Sequence, residues 1–467
     1  MKSATLALLL FCCISITSAQ SSIWEGYLHY TKKDSLKLVL AVERQGDSLS
    51  ATLDSPDQYA FDIPASKIVF NEQHLSFEVK SLDCRFEGEK MGEDIAGVFT
   101  QMGKSLPLTL HRTTTRKKLV RPQTPTPPYP YTSQEISFTD RFTGTSINGA
   151  LTLPESGESK AIAILISGSG WQDRDETILG HKPFLVIADA LTREGYAVFR
   201  YDDADVRIVN KLTTQDFANQ VTVILDSLSQ ISELQSIPMG IIGHSEGGLI
   251  AWMVAAKDKR VQFIVSLAGV GIPMKDIVLE QVLQLSVHEK LDIKFIQGTL
   301  HLNNEILTII EKSKNAETAG DKLTKFLDDY TKEMTLEELK AYHLTPPERV
   351  ASMRQMLSPW YFYVLKIRPE KYIKKVTCPV LALNGDKDIQ VGGVENLRTI
   401  QNILKPNALN QFKLLPGLNH LFQECETGFP DEYGEIEQSI SPKALEEIIG
   451  WLDKLTSKAN CPPNTAR

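Results

Sequence analysis

The sequence predicts an α/β fold on a mostly parallel sheet, with a helical cap inserted into it and a small antiparallel all-β domain ahead of it. Three observations predict this. Residues 20–112 alternate apolar and polar positions in short runs between turn formers. Residues 135–460 alternate apolar strands with amphipathic helices. That second rhythm breaks once, at about 273–370, where helical patterns run on without a strand. A chain of 467 residues is also long for one domain, against a norm of roughly 150. The composition is globular, 42% hydrophobic and 23% charged, and supplies a large core. The formal net charge of −8 gives no basis for a nucleic-acid partner.

Residues 1–19 read as a secretory signal. Lys2 supplies the positive start, Leu6 to Ile16 the apolar run, and Thr17-Ser18-Ala19 the small residues of a cleavage site, leaving Gln20 as the new N-terminus. The alternative is a membrane anchor, but the run falls short of the roughly 20 residues needed to span a bilayer. Lipidation at Cys12 or Cys13 is disfavoured, because Leu9, Leu10 and Phe11 put no small residue ahead of them. No other segment is long and apolar enough to cross a membrane, so the expected setting is secreted or periplasmic, without stable membrane insertion. Four cysteines then remain: Cys84, Cys378, Cys425 and Cys461. Their spacing suits no metal site, and free thiols without a catalytic task are expected.

In the first domain, Leu36–Leu40 and Leu75–Val79 are alternating strands. Gly26, Gly46, Gly88, Gly97 and Gly103 are expected near strand ends, in a meander shaped as a small lipocalin-like barrel or half-barrel. This domain carries no catalytic cluster. It serves as a lid, a dimerisation surface or a ligand-holding module, or it is a structural appendage. Residues 113–134 follow as a linker, extended and semi-rigid because Pro122, Pro125, Pro127, Pro128 and Pro130 dominate it.

The catalytic part opens with strands at Glu135–Thr139 and Ser146–Leu153. Ala161–Ile166, Ala197–Tyr201, Met239–Ile242 and Phe263–Leu267 are further strands. Pro183–Arg193, Phe217–Leu234 and Leu249–Ala256 are the helices between them. After the charge-rich helical stretch, which includes Thr335–Lys340, the rhythm returns. Val380–Leu383 and Gln411–Leu415 are strands, and Val394–Ile403 and Pro442–Leu455 are helices. Residues 461–467 form a tail.

The chemistry centres on Gly243-His244-Ser245-Glu246-Gly247, a G-x-S-x-G sequence between a strand and a helix. A serine hydroxyl must project from a strained turn there, and the glycines let neighbouring backbone come close. Ser245 is the candidate nucleophile. Its base should follow the returning strands, where His420 in Leu418-Asn419-His420 is the lone histidine. His244 should point away from the acid–base position. The acid should follow strand Val380–Leu383, where Asp386 and Asp388 both qualify by type. An oxyanion hole needs backbone N–H donors. The amide of Glu246 is one, and Ser169 or Gly170 in Ser167-Gly168-Ser169-Gly170-Trp171 the other. That loop lacks the lysine of a phosphate loop. Trp171 beside it and Trp360 in Trp360-Tyr361-Phe362-Tyr363 of the cap are the candidate substrate contacts, although such an aromatic cluster also serves as plain core.

The catalytic part resembles the α/β-hydrolases grouped with serine aminopeptidases and the bacterial EstD-like carboxylesterases. The matching strings are Ser167 to Glu176, Arg200-Tyr201-Asp202-Asp203, Gly243 to Gly248, Pro379 to Asp388 and Leu418-Asn419-His420. The linker and the β module also resemble those of secreted members. The resemblance implies an α/β-hydrolase fold and carboxylesterase activity on a small-molecule ester. It selects Asp388 as the acid, at the second position of the G-D-x-D loop, and leaves Asp386 to shape the turn. It implies no metal and no organic cofactor. Many relatives carry Lys-Arg-Gly after Tyr201-Asp202, where this chain has Asp203-Ala204-Asp205. Asp173-Arg174-Asp175 is a family mark that serves as an ion-pair network or a substrate contact. Peptidase, thioesterase or acyltransferase chemistry on the same triad is the nearest rival. An exported ligand-binding protein with a vestigial site is the rival from another class.

Overall fold

The computed structural model describes residues 20–459 except 32, 33, 47, 205 and 210. The expected signal segment, Cys12, Cys13, Asp205, Cys461 and the tail lie outside the described residues. The chain divides into two compact units, Met1–Val120 and Arg121–Arg467.

In the first unit, nine antiparallel strands are described: β1 (Gln20–His29), β2 (Ser35–Gln45), β3 (Ser48–Ser55), β4 (Ala60–Pro64), β5 (Lys67–Phe70), β6 (His74–Val79), β7 (Cys84–Met91), β8 (Asp94–Gln101) and β9 (Lys104–Thr113). Their order is β4-β3-β2-β1-β9-β8-β7-β6-β5. Every neighbouring pair is consecutive in sequence except β1 and β9, so the first strand pairs with the last and the meander curls on itself. The opening lies between β4 and β5. Ala65 N–H donates there to Ala51 O and Ser66 N–H to Glu78 O, tying the connection to both flanks. Alternation drives the curl. In β6 every second residue is buried, and Trp24, Leu40, Leu75, Phe86 and Leu110 fill the interior. Each such side chain contributes about 1.5–3 kcal/mol of burial.

The expected glycine positions are corrected in part. Gly46 and Gly103 are turn residues, whereas Gly26, Gly88 and Gly97 lie inside strands. Gly88 and Gly97 face each other across β7 and β8, and a Cβ on either would come within 2.9 Å of the Phe86 ring. Bare backbone there makes room for a core aromatic.

The second unit is the α/β-hydrolase fold. Its strands are β10 (Tyr131–Thr139), β11 (Ser146–Pro154), β12 (Ile162–Ile166), β13 (Ala197–Tyr201), β14 (Met239–His244), β15 (Val261–Leu267), β16 (Val380–Gly385) and β17 (Gln411–Leu415). They lie in the order β10-β11-β13-β12-β14-β15-β16-β17. β11 is antiparallel to both neighbours, and β12 to β17 are parallel. One face of the sheet is covered by helices Pro183–Arg193 and Pro442–Ala459, the other by Thr214–Leu228, Glu246–Ala255 and Gly393–Ile403. The central strands are buried on both sides and therefore read as unbroken apolar runs. The Pro-rich segment is fastened to this unit from Arg121 onward. Arg121 donates to the carbonyls of Leu179, Gly434 and Ile436, and the Gln123 amide bonds Ser439 and Ile440.

The helical cap is inserted between β15 and β16. It runs from Met274–His288 through Ile293–Lys312 and Ala316–Thr331 to Pro359–Val364, and holds its own core of Leu302, Ile306, Ile310, Leu323 and Leu327. One expected helix starts earlier and stops sooner, spanning Thr214–Leu228 rather than Phe217–Leu234. Thr213 and Asp216 form a reciprocal capping box at its start. Leu234 belongs to a short 3₁₀ turn.

Candidate active site

Strand β14 delivers the nucleophile candidate. Ser245 has φ 54° and ψ −117°, in the sparsely populated region that costs about 1–3 kcal/mol. Two features hold it there. Ser245 N–H donates to Leu267 O at 2.9 Å. The strand and helix also meet so closely that a Cβ on Gly243 would sit 2.2 Å from Gly247 O, and one on Gly247 2.1 Å from Ile166 O. Only glycine fits at either position. The Ser245 side chain is partly exposed.

Asp388 and His420 meet in the structure. His420 Nδ1 lies 2.8 Å from Asp388 Oδ2, and both residues are buried. Asp388 Oδ1 accepts the N–H groups of Gln390 and Val391, both at 2.9 Å, and Asn384 Nδ2 donates to Oδ2. A carboxylate so surrounded is fixed in place. It keeps the proton of His420 on Nδ1 and leaves Nε2 as an acceptor. Asn419 shapes the turn that carries His420, with Oδ1 accepting from Leu421 N and Gln423 N. Asp386 binds Gly417 N–H at 2.7 Å and shapes the turn, away from His420. Ser245 Oγ makes no hydrogen bond to His420 among the described residues. Such contacts are often long in a resting site and close around substrate.

The loop after β12 runs beside Ser245. A Cβ on Gly168 would lie 3.2 Å from Ser245 Cβ. Gly168 N–H is already engaged, donating to Glu176 Oε1 at 2.8 Å. The N–H groups of Ser169, Gly170 and Glu246 make no hydrogen bond among the described residues. The last of these opens helix Glu246–Ala255, where N–H groups have no helical partner.

The two tryptophans separate. Trp171 is 52% exposed. Trp360 spends its N–H on Glu246, at 2.9 and 3.0 Å from the two carboxylate oxygens, and its ring packs on the sheet core. It ties the cap to the residue after Ser245. Thr214 Oγ1 donates to the same carboxylate at 2.7 Å. Burial pushes the Glu246 carboxyl above the usual range against these bonds. Burial likewise pushes Asp203 up to about 7, with Glu246 and Glu176 adding to the rise. Asp203 Oδ2 accepts from Gln172 N at 2.8 Å, which fastens the loop after β12.

Of Asp173-Arg174-Asp175, the last two sit in an ion-pair network, while Asp173 accepts the N–H groups of Asp175 and Thr177 and shapes the turn. Arg174 binds Asp202 and Glu135, and Asp175 binds Arg200 and Lys182. Cys84, Cys378 and Cys425 are free, and burial raises each thiol to about 11, which leaves them poor nucleophiles. Among the described residues no cluster could hold a metal ion, and no helix is long and apolar enough to cross a membrane.

Sequence reasoning missed the pairing of His244 with Glu176. His244 is expected from sequence to point away from the acid–base position, yet its ring lies beside that of His420. It is buried with Nδ1 2.8 Å from Glu176 Oε1 and Nε2 3.0 Å from the His420 carbonyl, and its ring centroid lies 4.7 Å from that of His420. The available signal was a polar residue closing an apolar strand, since a buried polar group needs partners.

No family model matches the chain. In sequence it is similar to Esterase EstD of Thermotoga maritima, 25% identical over 329 residues that span 68% of each chain. Solved structures it resembles include Est1E from Butyrivibrio proteoclasticus, 15% identical, covering 70% of this chain and 98% of that one, with a TM-score of 0.39. Another is dienelactone hydrolase from Anabaena variabilis, 14% identical, covering 69% and 98%, also with a TM-score of 0.39. With the strand order and the strained serine between β14 and its helix in view, the second unit has the α/β-hydrolase fold, and its sequence is similar to that of Esterase EstD.

Proposed function

We propose that this protein hydrolyses carboxylic esters of small molecules through an acyl-enzyme on Ser245. His420 Nε2 takes the Ser245 proton as Oγ attacks the acyl carbon. Asp388 holds the histidine tautomer and stabilises the imidazolium that forms. The N–H groups of Glu246 and of Ser169 or Gly170 receive the negative charge on the carbonyl oxygen. His420 then returns its proton to the leaving alcohol and activates the water that releases the acid. The observation that carries this reading is the buried Asp388–His420 pair, on a loop held against the residue that precedes a strained serine. The esterase name of the relative favours an ester over an amide or thioester. Export is part of the proposal, and sequencing the N-terminus of the mature protein tests it against an expected start at Gln20.

The deciding experiment combines a fluorophosphonate probe with a panel of acyl esters of rising chain length. Wild type should label and turn over, and Ser245→Ala should lose labelling and about 10⁴-fold or more in kcat. Hydrolysis that survives this substitution would reject Ser245 as nucleophile.

A further inference from the structure

The His244–Glu176 pair lies outside the triad and has a geometry that ordinary packing does not require. His244 is 5% exposed and Glu176 2%. The two ring nitrogens face Glu176 Oε1 and the His420 carbonyl, at 2.8 and 3.0 Å. A carbonyl can only accept, and so can an ionised carboxylate. Neutral imidazole has one N–H and one lone pair, so beside an ionised Glu176 either tautomer sets that lone pair against an acceptor. Both bonds exist together only if the pair holds one extra proton, and the second N–H that Glu176 Oε1 accepts favours that proton on the ring, as imidazolium and carboxylate. Glu176 Oε1 also receives Gly168 N–H from the loop beside Ser245.

We propose that His244 and Glu176 act as a proton-holding brace, in which His244 is a positioning residue that fixes the general base and the oxyanion loop relative to each other. At one end, His244 Nε2–H grips the backbone carbonyl of His420, so the main chain cannot swing while the side chain passes its proton. At the other, Glu176 grips Gly168 N–H and leaves the next two N–H groups uncommitted. The residues joined this way come from the ends of β12, β14 and β17, and a single proton ties them together. The inference rests on the proposed hydrolase reading.

The charges facing His244 favour this state. Burial alone would lower its pKa. The Glu176 charge and hydrogen bond, the His420 carbonyl and the Asp388 charge outweigh burial and raise it. His420 faces it from the β17 loop. Glu246, two residues on, has its carboxyl occupied by Thr214 and Trp360, and Asp203 is bound to Gln172. A histidine pKa raised by its partner keeps the brace intact below that pKa and loses it as pH rises through it. Removing the Glu176 charge moves the loss to lower pH.

The test compares wild type, Glu176→Gln and His244→Gln with an activated ester from pH 5 to 10. Glu176→Gln can still accept Gly168 N–H but carries no charge. Its alkaline limb should move down by at least one pH unit, so the loss in kcat is at least 10-fold greater at pH 9 than at pH 6. His244→Gln should lose about 10- to 100-fold in kcat with KM within threefold, as misplacement of reacting groups does. A Glu176→Gln profile that falls equally at every pH, or an unshifted limb, would overturn the proposal. Should a variant fail to fold, ¹⁵N-histidine spectra of wild type decide: a buried ring protonated on both nitrogens at pH 8 is expected, and its absence counts against the brace. Wild type that resists the fluorophosphonate probe would sink the hydrolase reading; labelled wild type with an unshifted variant limb would sink only the brace.

Discussion

Trp360→Phe keeps an aromatic ring in the cap and deletes one N–H. That N–H lies 2.9 and 3.0 Å from the oxygens of a carboxylate that is 2% exposed. A hydrogen bond to a charged acceptor contributes about 1.5–3 kcal/mol, against 0.5–1.5 for a neutral one. With unfolding entropy near 2.1 cal/mol/K per residue, the unit Arg121–Arg467 should lose about 2–4 °C in Tm at pH 8. The effect depends on pH in a defined direction. Burial holds the Glu246 carboxyl above its unfolded pKa, so its ionisation weighs against the fold as pH rises. Deleting a donor raises it further. At pH 5, where more of the carboxyl is protonated, the loss should shrink to under about 2 °C. Calorimetry of both proteins at pH 5 and 8 measures this. An equal drop at the two pH values would refute the charged bond and leave lost packing as the cause.

Two further outcomes follow from the same contacts. Asp388→Asn should keep the fold but release the His420 tautomer, lowering kcat about 10⁴-fold, measured as ester turnover at pH 7.5; a loss below tenfold would reject Asp388 as the acid. In the first unit, Arg116 makes paired bonds to Asp54, which is wholly buried, and a third to Asp62. Arg116→Ala leaves that carboxylate uncompensated, at about 3–5 kcal/mol. Protease cleavage inside residues 20–113, mapped by mass spectrometry, should rise sharply, and unchanged protection would count against the buried charge.

Much of this molecule is legible in its sequence because local pattern and global fold agree. The parallel strands are apolar throughout, as burial on both faces demands, and Pro183–Arg193 and Gln411–Leu415 lie where periodicity sets them. Ser245 and His420 follow from chain order and from the turns that display them, whereas the choice of Asp388 over Asp386 rests on the family resemblance. Contacts between residues far apart in sequence leave no such trace. Glu176 and His244 are separated by 68 positions, and Trp360 meets Glu246 across 114. No periodicity encodes either pair. Trp360 is visible as a large aromatic in a cap, but its polar handle found a carboxylate rather than an open pocket. The in-strand glycines escape for a related reason: only the folded sheet reveals that the Phe86 ring needs their space.

The pairing of β1 with both β2 and β9 has a topological consequence. The first strand of the β module is a seam, not a rim. Trimming a few residues into it does not shorten the sheet from an edge; it parts the sheet in two, with β2–β4 on one side and β5–β9 on the other. The seam also waits for the last strand of the module, so the curl cannot be completed until Thr113 has been made. Fusions and truncations meant to isolate the hydrolase unit should therefore remove the β module whole, at the boundary by Val120, or leave it whole.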